Sequence, residues 1–514
     1  MYDLVIKNAS VLDGTGTPSY FADLALKDGV ICRIGKNLSG AEKILDVTGL
    51  TVSPGFIDSH SHSDKGMVSF PDMIEKAEQG ITTCIAGQCG SSVAPANISG
   101  NSDVVLEGIG KKSDVCRTMG SFLDAFRNFP MGVNQVCLLG HSSIRRMVMG
   151  MEQRVPTAEE LEAMKNMVRE AMEHGALGLS FGLIYPPGSY AQLEEIVALA
   201  QVVKEYGGLI AAHIRSEGSQ FLEAQEEFCE VIRRTGVRGV HSHFKSAGGS
   251  SNWGKVKPAL EKVDEMNRLG YEVFLDVYPY IASHTTLSVS LVPDSGRDLL
   301  SRLRSPEERK KMKEWNRNCW WKEDLSWVQI ARCKAYPEYE GKRIPEIAAL
   351  RGTDHLDTAF DLILDSENAC SACYFTVCEE DVKTVLAHPR AMIGTDANVA
   401  GNSKVFHPRL KGTFPRALGR YARDLGVVSM EEMIRKMTSM PAAVYGLKKK
   451  GLIREGMDAD LCIFDRDRIL DHAEFTACRR PNEGLHYVLI NGKIVVENGV
   501  YNRVRAGKLI LRDF

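Results

Sequence analysis

Short alternating apolar segments occupy both ends of the chain, and a different rhythm fills the middle. Near the start, DLALK and VICRIG flank Asp28-Gly29. Such a pair favours the type I′ turn of a tight hairpin, whose two central residues both need positive φ. The far end repeats the pattern, with ADLCIFD followed by HYVLI and KIVVE around Asn491-Gly492. Two β-rich ends predict one small β-sandwich built from residues 1–52 and 447–514, with two separate β appendages as the alternative. Between them, over 53–446, short apolar runs alternate with helical patterns. The runs are GFIDSH (55–60), ITTCIAG (81–87), QVCLLGH (135–141), LGLSFGL (177–183), LIAAHI (209–214), RGVHSHF (238–244), EVFLDVY (272–278) and AMIGTD (391–396). One intervening helix starts at Thr157-Ala-Glu-Glu160, a capping box whose two ends satisfy each other's orphan amides. Eight strands in βα alternation predict an α/β fold, a TIM-type (β/α)8 barrel. The seventh run ends at Tyr278 and the eighth begins at Ala391, so an insertion is expected at about 287–350, over the active-site face. Its charged stretch SRLRSPEERKKMKEWNRNCWWKED reads as a solvated helix over the barrel and not as a binding motif.

Composition narrows the class. With 514 residues, 44% hydrophobic and 25% charged, the chain has ordinary globular values, which exclude wholesale disorder and fibrous architecture. Lys+Arg 63 against Asp+Glu 66 gives a net charge of -3 with no basic tract, so nucleic acid is not the expected partner. The opening MYDLVIKNAS shows no basic segment followed by an apolar one, and a secretory signal is not expected. No apolar run approaches the ~20 residues needed to span a bilayer. Thirteen cysteines, an odd number scattered over a long chain, read as reduced thiols. The expectation is a soluble cytoplasmic enzyme acting on a small molecule.

Histidines sit at the predicted strand ends. His60 and His62 are two apart, so on an extended chain both imidazoles point the same way. His213 ends the fifth strand in AAHIRSE. His243 ends the sixth in HSHFKSAG, where His241 points the same way and competes for the assignment. Asp396 ends the eighth in IGTDAN. Barrel enzymes keep their chemistry at the C-terminal rim of the strands, and this set predicts a metal centre there. Cys370-Ser-Ala-Cys373 has CxxC spacing but no second pair, and reads as structural. His141 closes the third strand and is either a contact near the site or a satisfied core histidine.

PGFIDSHSH, the two later histidines and the aspartate of strand eight resemble the metal-dependent amidohydrolase superfamily. TTCIAGQCGSSVAP, LGLSFGLIYPPGSYA, AAHIRSE, HSHFKSAG, DVYPY and HPRLKGTFPRALGRYAR narrow the resemblance to the D-aminoacylases, the N-acyl-D-amino-acid deacylases, over essentially the whole chain. In many amidohydrolases a carboxylated lysine on strand four bridges two metals, but LGLSFGL contains no lysine. In the D-aminoacylase branch a cysteine at the end of strand two supplies the ligand, and the matching residue is Cys89 in GQCG. Cys84, inside the same strand, reads as a packed thiol. The resemblance implies that Cys89, His213 and His243 hold one tight Zn2+, and that His60 and His62, sharing Cys89, form a weaker second site. It also implies that Asp396 is the general base and acid.

The implied reaction is hydrolysis of a linear amide, a carbon–nitrogen bond other than a peptide bond, that frees a carboxylate and a D-amino acid. The α-carboxylate of an N-acyl amino acid needs a cation. Lys245 shares the inward face of His243, and Arg409 in HPR follows strand eight and is suited to a bidentate contact. By resemblance, Tyr185 and Tyr278 border the carbonyl and the carboxylate. The family often reads YPYxAGS, whereas this chain reads YPYIASH. His284 therefore stands where a serine is expected to help bind the carboxylate. A ring of reference pKa ~6.5, cationic below neutral pH, would tighten that contact or select a second acidic or polar group. One rival is the opening of a cyclic amide such as a hydantoin or lactam, against which the missing lysine argues. The other is a non-catalytic assembly protein on the same fold, against which the full set of ligands argues.

Overall fold

The structure is a computed structural model that describes residues 1–96, 105–106, 109–296, 298–321, 324–399 and 405–512. Strands from both ends of the chain lie in one nine-stranded sheet. Leu461–Phe464 runs antiparallel to Thr51–Pro54, with Leu461 opposite Pro54 and Phe464 opposite Thr51. Ile6, Leu24, Ile31, Val52, Leu461 and Ile463 share one apolar cluster, so neither end buries its apolar face without the other. Both hairpins turn as their residues require, with φ of 50° and 77° at Asp28-Gly29 and 48° and 79° at Asn491-Gly492.

The middle of the chain forms the barrel. Its strands are Phe56–Asp58, Ile81–Ala86, Asn134–Cys137 continued by Leu139–Gly140, Gly178–Gly182, Leu209–His213, Arg238–His241, Val273–Val277 and Ala391–Ile393. Each pairs in parallel with the next. Leu138 N–H donates to the Ala86 carbonyl and Leu177 N–H to that of Cys137, which joins the two halves of the wall. Ser59 N–H donates to the Ile393 carbonyl at 3.2 Å and closes the barrel. The strands read as unbroken apolar runs because both faces are covered. Leu209 and Ala211 pack with Ile57, Ile85, Val240 and Met392, while Ile210 and Ala212 pack with Leu199, Val203 and Phe228 of the surrounding helices. The helix Ala158–Glu173 begins at the capping box read from sequence.

The insertion follows strand seven. Ser283–Thr286, Ser371–Tyr374 and Val328–Arg332 form a three-stranded antiparallel sheet with the second in the middle. Leu291, Leu303, Met312, Ile330, Phe360 and Ile363 give it a core of its own, and the layer continues past residue 350 to Tyr374. The charged stretch contains the helix Pro306–Arg317, capped by Ser305; Lys322 and Glu323 lie outside the described residues. Cys333 and Cys370 are bonded to each other, which corrects the expectation that all thirteen cysteines are free thiols. They are 37 positions apart and carry no local signal of pairing.

One buried ion pair fixes the rim. Asp58 closes the first strand, and its Oδ2 lies 2.9 Å from Lys76 Nζ, with both side chains fully buried. Thr395 N–H donates to Asp58 Oδ1 at 2.7 Å, and Lys76 donates to the Ala397 carbonyl at 3.0 Å. The chain on either side of Asp396 is thereby held against the first strand. Lys76→Ala strands a buried carboxylate and is expected to cost about 3–5 kcal/mol, read as a lowered midpoint of thermal unfolding. A midpoint equal to that of the parent would show that the pair carries no stability.

Candidate functional site

Three rim residues leave their strands in the left-handed region: Cys89 at φ 52°, His243 at φ 36° and Asp396 at φ 47°. That conformation costs roughly 1–3 kcal/mol for a residue other than glycine and persists only where surroundings enforce it. Here hydrogen bonds do so. His243 N–H donates to Asp276 Oδ1 at 2.7 Å, and Asp396 N–H donates to the His60 carbonyl at 2.8 Å. Next to Cys89, Gly90 N–H donates to Ser180 Oγ at 3.0 Å, and that hydroxyl donates to the Gly87 carbonyl. A Cβ on Gly182 would stand 2.1 Å from the Cys89 carbonyl oxygen. Strand four therefore presses bare backbone against the Cys89 turn.

The sixth strand stops at His241, which separates the two competing histidines. The His241 ring lies among Phe221, Phe228 and Phe244, with centroids 6.0, 5.8 and 4.5 Å away. His243 turns inward instead. Its Nε2 lies 3.3 Å from Cys89 Sγ, and its ring centroid is 4.3 Å from that of His213. Cys89 Sγ is also 3.3 Å from His60 Nε2. Ligand atoms of Cys89, His213 and His243 all fall within 4.8 Å of one another, as do those of His60, His62, Cys89 and Asp396. Cys89 belongs to both groups. His213 is buried with neither ring nitrogen hydrogen-bonded and Glu217 Oε2 3.8 Å from its Nε2, so the one lone pair of its neutral ring is available to a cation.

Two acids that the sequence reading missed orient these rings. Asp276 faces His60 Nδ1 at 3.1 Å while accepting the His243 N–H. Glu217 Oε1 lies 2.9 Å from His243 Nδ1. A carboxylate on one ring nitrogen fixes the tautomer and turns the other nitrogen's lone pair toward the metal position. Their signals were present: Glu217 stands four after His213 in AAHIRSE, and Asp276 stands two before Tyr278 in DVYPY.

Burial alone would raise the Cys89 thiol, but the imidazoles of His60 and His243 outweigh it and hold it well below its ordinary value. Asp396 behaves similarly. Burial opposes its charge, yet the Arg409 guanidinium, His243 and a bond from His62 hold it well below the usual carboxylate range. Its Oδ1 lies 3.3 Å from His62 Nε2, and its Oδ2 lies 2.8 Å from Arg409 Nη1. Cys84, by contrast, is pushed up to about 12 by burial and packs in the core.

A cavity of about 1210 Å³ opens onto this centre and is lined by His62, Cys89, His213, His243, Asp396 and Arg409 among others. Arg409 is 3% exposed, with its guanidinium 4.6 Å above the Tyr278 ring. The Tyr278 hydroxyl is buried and has no hydrogen-bond partner. Tyr185 lies edge-on to His213, centroids 5.0 Å apart. Lys245 reaches the wall already paired: its Nζ donates to Glu217 Oε1 at 2.5 Å and to the His243 carbonyl at 3.2 Å. His284 also lines the cavity, with Nε2 3.1 Å from Ser371 Oγ. Burial and the neighbouring Arg409 push it down to about 4, so the ring is neutral at pH 7 and the cationic form expected just below neutral pH is displaced to far lower pH. His141 is settled as a core histidine, its Nε2 2.8 Å from Glu195 in a buried pair that Arg145 completes.

Among the described residues no helix is long and apolar enough to cross a membrane. D-aminoacylase of Alcaligenes xylosoxydans xylosoxydans is 36% identical to this chain, over 99% of it and 98% of the relative. N-acyl-D-glutamate deacylase of the same organism is 34% identical, over 99% and 97%. The crystal structure of N-acyl-D-glutamate deacylase from Bordetella bronchiseptica, complexed with zinc and a phosphonate mimic of the tetrahedral intermediate, matches at a TM-score of 0.84. It is 34% identical and covers 100% of both chains. The model of the Amidohydrolase family matches residues 43–496. That match runs from the N-terminal strands through the barrel and every rim residue above to the last hairpin, and the chain belongs to the amidohydrolase family.

Proposed function

We propose that the protein is a zinc-dependent hydrolase that cleaves the amide of N-acyl-D-amino acids. Water is consumed, and a carboxylate and a free D-amino acid are released. The observation that carries this reading is the buried set of Cys89, His213 and His243, whose ligand atoms converge around a depressed thiol. Thiolate and imidazole donors suit zinc. His60 and His62, sharing Cys89, make a weaker second position. Zinc in such a centre polarises a carbonyl and lowers the pKa of water.

The chain's own residues supply the rest. Asp396 is ionised, accepts the proton of the attacking water and returns it to the leaving nitrogen, which departs as an amine. Arg409 is buried, pairs with Asp396 through Nη1 and keeps Nε without a hydrogen bond; its guanidinium meets the α-carboxylate. The unpartnered Tyr278 hydroxyl donates to the same group. Tyr185, beside His213, borders the acyl carbonyl. Lys245 neutralises Glu217 and adds positive potential to the carboxylate end. Neutral His284 offers a hydrogen bond in place of a charge. Anchoring the carboxylate and the carbonyl fixes two groups on the α-carbon, so hydrogen and side chain exchange places only by driving the side chain into the wall. The names of the two relatives support the D hand. A cytoplasmic location belongs to the same reading, supported by eleven unbonded cysteines.

Asp396→Asn keeps the shape and removes the base. Turnover is expected to fall at least about 10²-fold, the lower end for a positioned general acid–base group, with bound zinc unchanged by metal analysis. A variant retaining more than about a tenth of parental turnover would assign the base elsewhere. A panel of N-acetyl-D- and L-amino acids, assayed for free amine, tests the substrate class. Hydrolysis of the D series is expected, with little or none of the L series, and a raised KM after Arg409→Ala. Equal rates on both hands would contradict the assignment.

A further inference from the structure

Four of the chain's five tryptophans, Trp315, Trp320, Trp321 and Trp327, line the same cavity as the metal ligands. They come from the end of the charged helix and the segment after it, a stretch whose sequence reads as solvated surface. Trp320 has centroids 5.6 Å from Trp321 and 5.2 Å from Trp327, and Trp315 lies 6.0 Å from Trp321. The inner two rings are committed: Trp321 Nε1 donates to Asn316 Oδ1 at 2.9 Å and Trp327 Nε1 to the Asp324 carbonyl at 2.9 Å. Trp315 and Trp320 stay 39% and 42% exposed. Trp320 is seated against the loop that carries His243 and Lys245, where a Cβ on Gly249 would stand 2.7 Å from its ring. The wall thus holds a fixed place relative to the metal ligands.

The cavity of about 1210 Å³ exceeds the roughly 300–1,000 Å³ typical of small-molecule pockets. An N-acetyl derivative of a small amino acid leaves much of it filled with water. Exposed indoles on a supported aromatic base are a poor surface for water and a good one for flat or extended apolar groups. Arg409 and Tyr278 form the carboxylate end and stand over strands seven and eight. Trp320 stands over the loop of strand six, against Gly249.

We infer that Trp315 and Trp320 form an apolar subsite that selects N-acyl-D-amino acids bearing a large aromatic or long aliphatic group. This inference rests on the deacylase reading. Such a group comes from the acyl chain or from the amino-acid side chain, and two substrate series tell these apart. The first compares N-acetyl-, N-octanoyl- and N-phenylacetyl-D-alanine. The second compares N-acetyl-D-alanine, -D-leucine and -D-phenylalanine. In zinc-loaded protein, one series is expected to gain about tenfold or more in kcat/KM with the larger group, the scale of one well-filled apolar subsite. Trp320→Ala is expected to remove most of that gain and Trp320→Phe to restore part of it, with zinc content equal to that of the parent. Ratios within about twofold between parent and Trp320→Ala in both series would overturn the subsite, while hydrolysis of N-acetyl-D-alanine would leave the deacylase reading standing. Absence of hydrolysis throughout would overturn both.

Discussion

Cys89 Sγ stands 3.3 Å from Nε2 of both His60 and His243, with His213 also in its group of ligand atoms and the whole cluster buried. Converging lone pairs at that range repel one another unless protons or a cation lie between them. Everything around the cluster is arranged to keep it converged. Strand four contributes Gly182 and Ser180 to hold the Cys89 turn. Asp276 ties strand seven to the histidines of strands one and six. The Asp58–Lys76 pair brings Asp396 to the first strand. Three residues in the left-handed region are the conformational cost, offset by these bonds and by the barrel's packing.

The electrostatics follow from the same crowding. Carboxylates on the far side of His60 and His243 make the near nitrogens better donors. Glu217 would be an uncompensated buried charge without Lys245, which explains why the lysine is committed to it. Arg409 pairs with Asp396 through Nη1 and keeps Nε without a hydrogen bond. The division places the Arg409 guanidinium beside Tyr278 and an ionised Asp396 between it and the centre. His284 adds no charge, because the guanidinium next to it and its own burial both oppose protonation.

Much of this was legible in the sequence, and the exceptions share a cause. All eight barrel runs became strands, and both hairpins turned at their Asx-Gly pairs. His60 and His62 converge as alternation predicts, although the strand itself ends at Asp58; alternation failed at His241 and His243, because positive φ at His243 breaks the two-residue period. Asp276 and Glu217 were invisible as partners, since pairing depends on which strands meet. The bond between Cys333 and Cys370 and the neutrality of His284 depend on tertiary neighbours in the same way. The tryptophan wall was hidden by its charged surroundings. Local pattern announces elements, and ligand residue types announce chemistry; orientation and charge state belong to the folded contacts.

Cys89 is the residue on which the proposed chemistry turns, because it enters both candidate groups of ligand atoms. X-ray absorption at the zinc edge of the metal-loaded, otherwise unmodified protein reads that assignment directly. A sulfur scatterer at about 2.3 Å, with nitrogen or oxygen scatterers at about 2.0–2.2 Å, is the result expected of a centre built from one cysteine and two histidines. A shell of nitrogen and oxygen alone would contradict it.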